Sequence, residues 1–254
     1  MIDNPVRRTL AEGGVALGTM VTEFATSAVT RLAASAGADF VLFDLEHTGY
    51  GIDRMRHVLA AARGVDTVPF LRVPDSAYDL VARALDIGAA GVMVPHVDSG
   101  HEARRIASAA RYPPLGTRGF GMLFRDDWSP DGVAATIEHV NSQVLTLVQI
   151  ETAAGLAAVD EIAAVDGIDI LWIGHFDLTA SLGIPGEFAS DAYRDALAAV
   201  LAAGSRHGKP VGMVCSSVDE GRDLLARGFR LLAYSLDIFL YEEAVRAGLT
   251  ALRK

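Results

Sequence analysis

Eight short apolar runs, separated by longer segments of helical period, constrain most strongly what this chain of 254 residues can fold into. The runs are Val15–Val21, Phe40–Asp44, Val68–Val73, Gly91–Pro95, Val144–Ile150, Ile168–Gly174, Pro210–Val214 and Arg230–Tyr234. Between and after them, helices are predicted near Ser27–Ser35, Ile52–Ala62, Ala77–Leu85, Gly100–Ala110, Gly155–Ala164, Ala192–Arg206, Val218–Ala226 and Ile238–Ala247. Such alternation is the pattern of repeated βα units around a parallel sheet. Gly37, Gly88, Gly167, Gly208 and Gly228 each stand between a predicted helix and the next strand, where a left-handed helix end is usual. Eight units in this length predict an α/β fold, a (β/α)8 TIM barrel forming one domain over residues 1–254. An open doubly wound sheet fits less well, because no Gly-rich phosphate turn follows the first run.

Composition narrows the function. With 51% hydrophobic residues the chain can bury a large core. Its formal charge of −10 argues against nucleic acid or anionic membrane as a partner, since both need a basic surface. The start, MIDNPVRRTLAEGG, lacks a signal-peptide apolar stretch, and no apolar run reaches the about 18 residues that cross a bilayer, so a cytoplasmic protein is expected. Cys215 is the single cysteine, which excludes an intrachain disulfide and a Cys-rich zinc site.

In a barrel the chemistry collects where the strands end, because the βα loops converge there on one mouth. The polar residues of this chain follow that rule. Glu23 follows the first run, Asp44, Glu46 and His47 close the second, and Arg72 closes the third. His96 and Asp98 follow the fourth, Glu151 the fifth, and His175 and Asp177 the sixth. Glu151 and Asp177 each have a plain reading, as a helix-start acid and an N-cap. Together, two carboxylates on adjacent strand ends call for a cation between them, and oxygen ligands suit Mg²⁺ or Mn²⁺. Arg72 at such a mouth would hold a carboxylate or a developing enolate oxygen. Asp44, three residues before His47, is expected to fix the tautomer of that imidazole and raise its basicity. Asp86 is a weaker candidate, and from the residues alone His96, His101, His175 and Cys215 are read as mostly structural. The segment YPPLGTRGFGMLFRDDWSP, from Tyr112 to Pro130, is long for a loop; with its aromatics and Arg118 it is expected to form an ordered wall or lid on the βα side.

The segments FDLEHTGYG, LRVPD, ALDIGAAGVMVPHV, ARYPPLGTRGFG, VQIETAAGL and WIGHFDLTASLG resemble, in order and spacing, those of the HpcH/HpaI family of class II pyruvate aldolases. The resemblance implies a metal-dependent lyase that reversibly cleaves 4-hydroxy-2-oxo acids to pyruvate or hydroxypyruvate and an aldehyde, through a metal-stabilised enolate. It implies Glu151 and Asp177 as ligands of Mg²⁺, Mn²⁺ or Co²⁺, Arg72 as enolate stabiliser, and His47, supported by Asp44 and Asp86, as base, acting through a metal-bound water. Substrate would be bound by Gly174, His175, Phe176, Gln149 and Arg118, with backbone amides from Gly174 to Asp177 receiving its carboxylate. A hexamer with exchanged C-terminal helices is implied as well. This chain departs from the family at GHFD, where many members carry Gly-Pro, and its variable loop offers Arg125, Asp126 and Asp127 to the aldehyde.

The residues support the chemistry independently. Deprotonating the pyruvate methyl needs an electron sink, and the chain's two lysines, Lys209 and Lys254, lie at no strand end, so an imine-forming aldolase is excluded. An acyl-CoA lyase of malyl- or citryl-CoA type is the alternative, and it would require a nucleotide-binding basic patch. An oxaloacetate decarboxylase would use the same enolate. A barrel that only binds a small acid is the non-enzymatic alternative, disfavoured because every expected catalytic residue type is present.

Overall fold

The computed structural model describes residues 3–121 and 132–254. Eight strands, β1 (Ala16–Val21), β2 (Phe40–Asp44), β3 (Val68–Arg72), β4 (Gly91–Val94), β5 (Leu145–Ile150), β6 (Ile170–Ile173), β7 (Val211–Cys215) and β8 (Leu231–Leu236), coincide with the eight apolar runs to within about two residues. They pair in parallel in chain order, and β8 closes onto β1. The helices among the described residues are α1 (Pro5–Ala11), α2 (Val29–Ser35), α3 (Ile52–Ala61), α4 (Tyr78–Asp86), α5 (Gly100–Ala110), α6 (Val133–Gln143), α7 (Ala153–Ala157), α8 (Val159–Ala163), α9 (His175–Ser181), α10 (Asp191–His207), α11 (Val218–Arg227) and α12 (Asp237–Leu252). The fold is a (β/α)8 barrel.

Period two sorts each strand into two faces. Phe40 and Leu42, Val68 and Phe70, Leu145 and Leu147, and Ile170 and Trp172 fill the barrel interior as one apolar cluster. Val41 and Phe43, Leu71, Val92 and Val94, and Leu171 and Ile173 face outward and join the larger cluster under the helices. The interior is tight. Phe40 stacks on Phe70 with centroids 5.4 Å apart, and a Cβ on Gly18 would stand 2.3 Å from the carbonyl oxygen of Phe40, so β1 must offer no side chain there. The same parity carries Asp44, Arg72 and Gln149 onto the interior face one layer above the apolar plug.

Helix ends follow local chemistry. Ser99, Ser190 and Ser217 accept hydrogen bonds from the third amide of α5, α10 and α11. The five glycines expected at helix ends all have positive φ. The single helix expected at Gly155–Ala164 is divided, because the chain leaves helical geometry at Ala158. Three helices were not expected. α1 starts at an Asn4 cap followed by Pro5, a start signal within a sequence too short to show a period. α6 and α9 follow a Gly-rich segment and a strand end, where periodicity has no room to declare itself.

The base of the barrel is sealed by ion pairs. Asn4 donates to the carbonyls of Ala90 and Gln143, and Arg7 and Arg111 pair with the two oxygens of Asp169 at 2.9 and 2.6 Å. The described part of the segment after α5, residues 111–121, begins at this end and rises along α4, where the Gly119 amide donates to the hydroxyl of Tyr78 at the first residue of that helix. Arg118 donates to Asp86 Oδ1 at 3.1 and 2.5 Å, and its guanidinium lies 4.5 Å from the centre of the Tyr112 ring. Asp86 ends α4, just before the chain enters β4, which puts the pair at the foot of the helical layer. The remainder of the expected wall, including Arg125, Asp126 and Asp127, lies outside the described residues. Among the described residues no helix is long and apolar enough to cross a membrane.

Candidate active site

The strand register assembles the mouth. Asp44 and Arg72 are direct partners on β2 and β3, so the last inward side chains of the two strands are neighbours. Asp44 is fully buried, and its Oδ1 accepts from Arg72 Nε at 2.9 Å. The same carboxylate accepts from the amides of Glu46 at 2.9 Å and His47 at 3.3 Å, while Thr48 Oγ1 donates to the Asp44 carbonyl. Asp44 therefore ties the turn that leaves β2, by the local bonding typical of a turn aspartate. This corrects its expected role: it holds the backbone of His47, and not its ring. The carboxylate nearest that imidazole is Glu46, with Oε2 3.7 Å from His47 Nε2.

Glu46 is the residue that sequence reasoning undervalued. It sits between Arg72, at 3.2 Å, and His96, at 3.5 Å, with a tenth of its side chain exposed. Burial works against the charge of Arg72, but the Asp44 hydrogen bond and the charges of Asp44, Glu46 and Glu151 outweigh it and hold the guanidinium above its usual range. No described residue accepts a hydrogen bond from its Nη groups, and Arg72 lines the cavity.

That cavity, of about 890 Å³, is bounded by Thr22, Glu23, Asp44, His47, Arg72, Gln149, Gly174, His175, Phe176 and Asp177, with apolar walls from Met20, Leu42, Trp172 and Phe239. Eight of the eleven residues expected at the site thus share one space. His47 stands open, its side chain 61% exposed, as a group that exchanges protons with a ligand should. Phe176 is exposed at the rim. His175 packs on Phe176 and Phe188, and burial lowers its pKa. Asp86 and Arg118 are not brought to this space, so within one subunit Asp86 does not reach His47.

Glu151 lies in the wall beside the cavity, 1% exposed. Its Oε1 accepts from the His96 amide at 2.7 Å, and its Oε2 accepts from Gln149 Nε2. Burial raises its pKa, and these hydrogen bonds and the His96 ring offset only part of the shift. Gln149 Oε1 is buried with no hydrogen-bond partner among the described residues. Gly174 leaves the space in front of both: a Cβ there would lie 2.2 Å from Glu151 Oε2 and 2.7 Å from Gln149 Nε2. A desolvated carboxylate, an orphaned amide oxygen beside it and a carboxylate at Asp177 are hard oxygen donors that fit a divalent cation. Among the described residues no three His, Cys, Asp or Glu side chains converge closely enough to enclose one. The set therefore suits an ion that keeps several waters, as Mg²⁺ does.

The description HpcH/HpaI aldolase/citrate lyase matches residues 20–244. The chain belongs to this family. It is 32% identical over 245 residues to a 2-keto-3-deoxy-L-rhamnonate aldolase of Shigella sonnei (strain Ss046), covering 96% of this chain and 91% of that one. An HpcH/HpaI aldolase from Desulfitobacterium hafniense DCB-2 superposes with a TM-score of 0.93 at 28% identity, covering 98% and 96% of the two chains. A family member from Burkholderia cenocepacia J2315 gives 0.92 at 30% identity, covering 99% and 100%. The expectation of an aldolase-type carbon–carbon lyase on a TIM barrel stands.

Proposed function

We propose that this HpcH/HpaI family member reversibly cleaves 4-hydroxy-2-oxo acids to pyruvate, or hydroxypyruvate, and an aldehyde, using a divalent cation held by Glu151 and Asp177. The observation that carries the reading is the meeting, in one cavity, of an open imidazole at His47, a guanidinium at Arg72 with its outer end unoccupied by described residues, and the carboxylate of Asp177 and amide of Gln149, with the buried Glu151 in the wall beside them. The Shigella relative supports it, since a 2-keto-3-deoxy sugar acid is itself a 4-hydroxy-2-oxo acid.

Mg²⁺, Mn²⁺ or Co²⁺ at this place would supply Lewis acidity to the 2-oxo group. The first amides of α9, at His175, Phe176 and Asp177, lack helical partners and face the substrate carboxylate. His47 takes the proton of the 4-hydroxyl, the bond between C3 and C4 breaks, and its electrons move toward the 2-oxo oxygen. Arg72 donates to that oxygen as its charge develops. A proton returned to C3 then gives the methyl of pyruvate. Glu46, close to both His47 and Arg72, keeps the base beside the charge it must serve. Phe176, Phe239, Glu23 and Arg54 line the part of the cavity left for the aldehyde.

A second reading, cleavage of an acyl-CoA ester, needs cations for the nucleotide phosphates. A neighbouring cavity of about 280 Å³ shares His175, Phe176 and Phe239 with the first, but carries Glu220 and Asp223 against one Arg227. That wall favours a small uncharged aldehyde.

The decisive test is deuterium exchange into the pyruvate methyl in D₂O. Metal-free protein is expected to show none, and added Mn²⁺, Mg²⁺ or Co²⁺ to restore it. No exchange with any of these ions would withdraw the roles of His47, Glu151 and Asp177.

The same proposal extends to assembly in the cytoplasm as a hexamer. α12 buries none of its 16 residues, and Tyr241, Val245, Leu249 and Leu252 are exposed at helical spacing on one face. Such a stripe needs a cover, and exchange of α12 between neighbouring subunits supplies one. Sedimentation velocity should find six chains. A monomeric boundary at micromolar protein would refute the exchange.

A further inference from the structure

We propose that His96 is a positioning residue that holds the Glu151 carboxylate, together with Glu46, in the arrangement the cation site requires; this rests on the reading of Glu151 given above. His96 stands just beyond β4, and its φ of 53° makes it one of two non-glycine residues with positive φ among those described. Side chains with a Cβ adopt that region seldom, and histidine is among the few that do. At this place the conformation has a use. It turns the His96 amide onto Glu151 Oε1 at 2.7 Å, and the next amide, Val97, onto the Gln149 carbonyl at 3.3 Å. Two successive amides thus fasten the exit of β4 to the end of β5, where both buried oxygen donors lie.

The imidazole continues the same work. Its Nδ1 lies 3.4 Å from Glu151 Oε1 and its Nε2 3.5 Å from Glu46 Oε1. One ring therefore spans two carboxylates that repel each other. Glu46 in turn reaches Arg72 Nε at 3.2 Å, so a continuous polar chain runs from the end of β3 to the end of β5 across the intervening strand. The segment carrying His96 cannot drift easily. α7 is seated directly on it, since a Cβ on Gly155 would meet the Val97 carbonyl oxygen at 2.6 Å, and Thr152 Oγ1 donates to Asp98. His96 is not among the residues that bound the cavity, so it acts on the substrate only through the carboxylates.

The test is Mn²⁺ affinity of the metal-free protein by calorimetry, for wild type, H96G and H96N. H96G keeps the left-handed backbone and its amide and removes the ring. H96N tolerates the same backbone and offers an amide donor to Glu151, where Nδ1 of the ring stood. Loss of an outer partner of a metal ligand typically weakens binding about 10- to 100-fold, and that range is expected for H96G, with most of it recovered in H96N. The melting temperature of metal-free H96G should not fall, because glycine relieves the backbone strain. H96G binding Mn²⁺ within about twofold of wild type, outside that range, overturns the proposal, and so does H96N binding no better than H96G. Wild type that takes up no Mn²⁺ would instead overturn the reading of Glu151 itself, and His96 with it.

Discussion

Arg72→Ala is expected to lose both activity and stability, for separable reasons. The stability loss follows from what remains. Asp44 is fully buried and Glu46 nearly so, and both face Arg72 Nε. Removing one partner of a buried ion pair leaves an uncompensated charge, which costs about 3–5 kcal/mol. Asp44 retains the amides of Glu46 and His47, which argues for the lower part of that range. The activity loss follows from the missing donor to the developing enolate oxygen, about 10²- to 10³-fold in kcat by the usual effect of deleting one such group. Arg72→Lys separates the two effects. Its ammonium restores a counter-charge but not the fixed fork of donors, so the melting temperature should recover most of the loss while kcat stays low. Thermal unfolding and steady-state cleavage of a 4-hydroxy-2-oxo acid read both quantities. An alanine variant with wild-type kcat would remove Arg72 from the chemistry, whatever its stability.

Gly174→Ala should show a smaller loss of stability than Arg72→Ala and a large loss of metal binding. The backbone at Gly174, with φ −90° and ψ 82°, does not demand glycine. The space does. A methyl group there would overlap Glu151 Oε2 at 2.2 Å and Glu151 Cβ at 2.8 Å, and Gln149 would block one way out. The Glu151 side chain has to turn, and crowding of this kind costs about 1–3 kcal/mol. The carboxylate then points away from the proposed cation site. Mn²⁺ affinity is expected to fall at least as far as when an outer partner is lost, about 100-fold, and methyl exchange with it. Calorimetry with Mn²⁺ on the folded variant is the check. Binding at wild-type strength would show that Glu151 does not hold the ion.

The strands were legible because burial on both faces leaves nearly continuous apolar runs. The upper layer of the interior was legible as well. Phe40, Leu42 and Asp44, or Val68, Phe70 and Arg72, alternate so that the last member of each series points inward by parity alone. Asp86 and Arg118 show the limit. Both fall within segments that resemble the family, yet their side chains meet each other at the foot of α4, because a motif's place in the chain does not state which end of the barrel it occupies. His96 looked like an ordinary loop histidine, since a left-handed φ leaves no mark on a histidine in sequence.

The sequence by itself determined the barrel, the end at which chemistry collects and the residue types available there, because these follow from period, alternation and the order of βα units. The tertiary structure alone decided the pairings. Closure of the sheet sets Asp44 against Arg72, the turn after β2 sends the Asp44 carboxylate to backbone amides and leaves Glu46 beside His47, and the bend after β4 swings His96 onto Glu151. Each depends on register and on a few dihedral angles fixed by packing across strands distant in the chain, and a local pattern of residue types carries neither.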